Sequence, residues 1–74
     1  MIIKITKLRR DQYGVLRSRF RSLLETKNID FIEEIPKGLS GIAKSRIVLK
    51  SGITLYVMES LDELERLMKG KRND

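Results

Sequence analysis

Asp11-Gln12-Tyr13-Gly14-Val15-Leu16-Arg17-Ser18-Arg19-Phe20-Arg21-Ser22-Leu23-Leu24-Glu25-Thr26 is the stretch whose reading decides the fold. Its apolar residues Tyr13, Leu16, Phe20, Leu23 and Leu24 follow i, i+3, i+7, i+10, i+11 spacing, which gathers them on one stripe of an α-helix. Asp11 stands where an N-cap or first-turn acid belongs. Gly14 weakens the first turn by about 1 kcal/mol relative to Ala. Lys27 and Asn28 supply a cation for the last turn and a residue tolerant of the left-handed conformation. The spacing therefore predicts a helix from Asp11 to about Thr26.

On either side of it the period is two. Ile2 to Leu8 reads as a strand with Ile3, Ile5 and Lys7 on one face and Ile2, Lys4, Thr6 and Leu8 on the other. Ile29 to Ile35 is a second strand, ended by Pro36. Lys37 to Lys44 holds Gly38 and Gly41 and reads as the only long loop. Arg46 to Lys50 and Ile53 to Met58 are two short strands about Ser51-Gly52, a two-residue hairpin signal. Ser60-Leu61-Asp62-Glu63 is a capping box, and Leu61, Leu64, Leu67 and Met68 form the inward stripe of a helix that Gly70 ends.

The expected order is β-α-β-β-β-α. An α+β domain over residues 1–70 follows, with a four-stranded, mostly antiparallel sheet and two helices packed on one face. The first strand–helix–strand unit would be a right-handed parallel crossover and the last three strands an antiparallel meander. Residues 71–74 read as a disordered polar tail.

Composition narrows the chemistry. The chain has 74 residues, 41% of them apolar and 35% charged, which suits one small globular domain. With no Cys there is no disulfide and no thiolate metal site, and with no His the commonest general base and zinc ligand are both missing. Glu33 and Glu34 are neighbours on a strand and point to opposite faces, a poor arrangement for two-carboxylate catalysis. Asp62, Glu63 and Glu65 lie in the first turns of the last helix, where the dipole favours them. The loop letters Gly38-Leu39-Ser40-Gly41 match the clamp of KH domains but follow a strand and a proline rather than joining two helices. Gly41-Ile42-Ala43-Lys44-Ser45 lacks the glycine that precedes the lysine of a P-loop. No enzyme, cofactor or metal is expected. No apolar run approaches about 18 residues, and Met1-Ile2-Ile3-Lys4 lacks the apolar stretch of a signal peptide, so a cytoplasmic setting, in the source or in a host, is expected.

Charge is the feature that points to partners. The whole net charge of +6 lies in the first 28 residues, where Lys4, Lys7, Arg9, Arg10, Arg17, Arg19, Arg21 and Lys27 stand against Asp11 and Glu25. On the expected helix, Arg17 and Arg21 flank the stripe on one side and Arg19 on the other. Arg9, Arg10, Arg17, Arg19 and Arg21, joined by Lys37 and Lys44 from the loop, form the candidate surface for an acidic protein or for nucleic acid, DNA or RNA. Gln12 is the only base-reading side chain nearby, so nucleic-acid binding would rest on backbone contacts, with a log–log salt slope near about −0.9 per phosphate. The competing reading has the arginine stems lying along the core edge with their heads in water. A third has a strand edge pairing with a second copy. A membrane role is not expected, because the domain needs the stripe for its own core.

Two resemblances follow from the C-terminal half. Ile47 to Ser60 with the helix to Met68, the initial strand Met1 to Leu8, and Ile32-Glu33-Glu34-Ile35-Pro36 resemble the small flagellar and swarming-motility FlbD family and related small phage proteins, over residues 1–8 and 29–68. This resemblance implies a small accessory protein. Residues 9–28 depart from it, since the expected basic helix stands where that family has a short turn and strand. The helix–three strands–helix order of Asp11 to Gly70 is similar to that of double-stranded-RNA-binding domains. Where those carry a lysine cluster at the second helix, this chain has Ser60-Leu61-Asp62-Glu63-Leu64-Glu65.

Overall fold

Leu16 to Glu25 is a strand in the computed structural model, which describes residues 1–39 and 41–70. The elements run β1 (Ile2–Arg10), β2 (Leu16–Glu25), a 3-10 turn (Thr26–Asn28), β3 (Ile29–Glu34), β4 (Ser45–Leu49), β5 (Thr54–Val57) and α1 (Leu61–Met68). The sheet has the order β2-β1-β5-β4-β3, and every pairing is antiparallel. The expected four strands with two helices are thus corrected to a mostly β fold, with five strands and one helix among the described residues. Among the described residues there is no parallel crossover, because β1 pairs with β2 and β5 and not with β3. The helix–strands–helix order expected from Asp11 to Gly70 falls with that helix. The tail at residues 71–74 lies outside the described residues.

The segment before β2 explains the outcome. Asp11 organises a tight turn: its carbonyl accepts the Gly14 N–H at 2.9 Å, and its Oδ1 accepts the N–H groups of Tyr13 and Val15 at 2.8 and 3.0 Å. Asp at the first and Gly at the fourth position is the signature of a β-turn, and Gly14 takes a φ of 78°, which a side chain would oppose. The acid expected to cap a helix instead closes a hairpin. From Leu16 to Ser22 apolar or small residues alternate with arginines, which is strand period.

The sheet has a helix side and an open side. Ile3, Ile5, Leu24, Ile47 and Val57 pack with Leu64 of α1 on the helix side, with Ile32, Leu55 and Met68 around them. Leu64 is fully buried, a contribution of about 1.5–3 kcal/mol from apolar burial. On the open side Leu8, Leu16 and Ala43 form a smaller cluster, bordered by Ile35, Tyr56 and Met58. The chain between β3 and β4 supplies Ile35 and Ala43 to that cluster and so covers one end of the open side. The capping box of α1 forms as expected, Ser60 Oγ accepting from the Glu63 N–H at 3.1 Å and Glu63 Oε1 from the Ser60 N–H at 2.7 Å. The β4–β5 turn is a residue longer than expected: Gly52 N–H bonds the Leu49 carbonyl and Leu49 N–H the Ile53 carbonyl, enclosing Lys50, Ser51 and Gly52.

Candidate binding face

Alternation along β2 decides where its arginines go. Opposite residues of an antiparallel pair share a face. The register Thr6↔Arg21 and Leu8↔Arg19 therefore puts Arg19 and Arg21 on the open side with Leu8, about 7 Å apart along the strand. Lys4, opposite Leu23, joins them. Lys4, Arg21, Ser22 and Leu23 line a shallow depression of about 250 Å³. Lys4, Arg19 and Arg21 are exposed, and none has an ion-pair partner among the described residues. Leu23 stands among them with 69% of its surface in solvent.

A complete row crosses the open side at Leu8. It runs Arg19, Leu8, Tyr56, Arg46, Glu33 over the five strands. Arg46 binds Glu33, with its Nε 2.9 Å from Oε1, and that contact holds the Arg46 guanidinium above its ordinary pKa. The positive charge at the β3 side of the row is thereby balanced, and the charge at the β2 side is not.

The remaining candidate residues are dispersed. Arg9 lies on the helix side, its guanidinium 5.0 Å from the centre of the Phe20 ring, a cation–π contact. Arg10 donates from Nη1 to the Gly14 carbonyl at 2.9 Å, and Arg17 Nε sits 3.5 Å from Asp11 Oδ2. Both fold back on the hairpin turn. The Asp11 carboxyl lies below its ordinary pKa, first through the Val15 N–H and also through Arg17. Lys37 and Lys44 line a separate depression of about 430 Å³ with Ile35, Ile42 and Met58. Lys44 is close enough to Glu63 to help hold that carboxyl low, behind the stronger effect of the Ser60 N–H.

Of the five arginines and two lysines expected to share one surface, Arg19 and Arg21 are brought together, and Lys4, which lies on β1 outside the expected helix, joins them. The signal that finds Lys4 is the alternation of β1 together with that of β2 beyond Arg17. The arrangement offers fixed positive charge beside an exposed leucine. It has no nucleophile–base pair, and no group of three acidic side chains positioned to hold a metal ion occurs among the described residues. Among those residues no helix is long and apolar enough to cross a membrane. No family model, no curated protein and no solved structure matches the chain.

Proposed function

We propose that this chain is a non-catalytic binding module that engages an acidic protein through the open side of its β1–β2 hairpin. The observation that carries the reading is the grouping of Lys4, Arg19 and Arg21 on one face without counter-charges among the described residues. Exposed Leu23 beside them favours a protein over nucleic acid, because an apolar side chain gains nothing against a phosphate backbone and arginine beside apolar surface suits a protein interface. Phe20, the aromatic residue of β2, turns to the other face under Arg9, so the arginine side of β2 has no platform for stacking bases. The absence of cysteine fits a cytoplasmic setting.

Fluorescence anisotropy with labelled poly-L-glutamate and with short duplex DNA and RNA, at low and physiological salt, tests this. Polyglutamate is expected to bind the protein, Arg19→Ser with Arg21→Ser to lose that binding, and Arg9→Ser to keep it. Equal binding by the double variant, or tighter binding of nucleic acid than of polyglutamate, overturns the reading.

A further inference from the structure

β2 is an outer strand of ten residues, and its outer backbone groups have a definite address. Thr6 uses its own backbone on the side away from β2. Its N–H donates to both carboxylate oxygens of Glu59 at 2.9 and 3.0 Å, and its carbonyl accepts from the Met58 N–H at 3.0 Å. Opposite residues of an antiparallel ladder turn their main-chain groups both toward each other or both away. Arg21, opposite Thr6, therefore directs its N–H and carbonyl to the free edge, and alternation extends this to Arg19 and Leu23. The residues that carry the exposed cations also carry the unpaired ladder groups.

We infer that this edge accepts an extended acidic segment of a partner protein as a sixth, antiparallel strand, a proposal that rests on the reading of the open side as an acidic-protein interface. Residues of the added strand that lie opposite Arg19 and Arg21 share their face, so carboxylates there form cross-strand ion pairs. The residue opposite Leu23 is apolar on the same argument. The residues opposite Phe20 and Ser22 fall on the helix side and are apolar and small or polar. Read from its N-terminus, the added strand has the pattern apolar, polar, acid, apolar, acid.

Charge sets this occupant apart from a second copy of the chain. Two β2 edges paired about Arg21 place arginines directly opposite one another, which is repulsive. A register that brings Glu25 opposite an arginine draws on a carboxylate already 2.9 Å from the N-terminal ammonium. The other outer strand, β3, has no two acids at alternate positions, because Asp30, Glu33 and Glu34 are three and one apart.

The test uses the intact protein and a labelled peptide containing Val-Thr-Glu-Val-Glu. Controls are a scrambled peptide with adjacent glutamates and a version N-methylated at both glutamates, which keeps the charge and removes the ladder donors. The alternating peptide is expected to protect the amides of Arg19, Arg21 and Leu23 in hydrogen exchange. Arg19→Ser with Arg21→Ser is expected to weaken it about tenfold, the loss of two cross-strand ion pairs. N-methylation is expected to remove binding. If all three peptides bind alike and the double variant binds none, edge pairing is overturned while the charge-based reading stands. If neither the peptides nor polyglutamate bind, both fall. Light scattering covers the remaining occupant: a doubled mass with the same three amides protected assigns the edge to a second copy and overturns the proposal.

Discussion

Leu16 and Leu24 lie on one strand an even number of residues apart, yet they are buried on opposite faces of the sheet. Leu16, 6% exposed, packs with Leu8 and Ala43 on the open side, and Leu24, 8% exposed, packs with Ile3 and Ile5 under α1. The register explains it. Ser18 faces Arg9 and Leu16 faces Arg10, so Arg17 is an extra residue in a β-bulge, and the alternation reverses there. The two leucines therefore share no packing partner. Leu16→Val and Leu24→Val are expected to cost about 1 kcal/mol each and to add within about 0.5 kcal/mol in the double variant, measured by urea unfolding. A coupling well above that would place them in one core.

Glu59 stands in for a strand residue where β5 ends, holding the Thr6 N–H with both oxygens. Truncation leaves a partly buried donor without its acceptor. Glu59→Ala is expected to destabilise by about 1–3 kcal/mol, and Glu59→Gln, which keeps an oxygen in place, by less. Chemical denaturation of the two variants checks the order, and equal losses would refute it.

Among the described residues, three carboxyls stand below their ordinary pKa values in the folded chain. Asp11 is lowered first by the Val15 N–H, Glu25 by the N-terminal ammonium, and Glu63 by the Ser60 N–H. Their ordinary values are 3.8 for Asp11 and 4.5 for the two glutamates. Because folding lowers each, the stability they add is full above those ordinary values and is lost as pH falls through the folded ones. Melting temperature is expected to hold from neutral pH down to about pH 5 and to fall below it. Asp11→Asn is expected to shrink that fall, and a variant with an unchanged acid limb would exclude Asp11 as a contributor.

Ser45 is fully buried between Val57 and Glu34 on the helix side, and its hydroxyl has no hydrogen-bond partner among the described residues. Burial without a partner costs free energy that a methyl group does not incur. Ser45→Ala is expected to raise stability by about 1 kcal/mol, read as a higher urea midpoint. A loss of stability would show that the hydroxyl is satisfied in the folded protein.

Much of the frame was legible before any tertiary structure. The alternation of Ile2 to Leu8, the Ile29 to Ile35 strand, the two strands about Gly52 and the capping box at Ser60 are all marked by patterns a few residues long, and each appears with small shifts of boundary. Residues 11–26 conceal their period, because Tyr13, Leu16, Phe20, Leu23 and Leu24 fit a helical stripe by spacing alone. The strand leaves Phe20 45% and Leu23 69% exposed. Helical spacing marks those residues as core, whereas the arginines between them carry the strand period.

The sequence by itself determined the charge asymmetry, the absence of Cys and His, and the local turns, since these depend on composition or on residues a few positions apart. Tertiary structure alone decided that β2 pairs along β1, that Arg17 bulges, and that Lys4, Arg19 and Arg21 share a face while Arg9 does not. The physical reason is that a strand has no internal hydrogen bonds. Its conformation is set by the partner strand that satisfies its backbone, and its register with that partner assigns every side chain to a side.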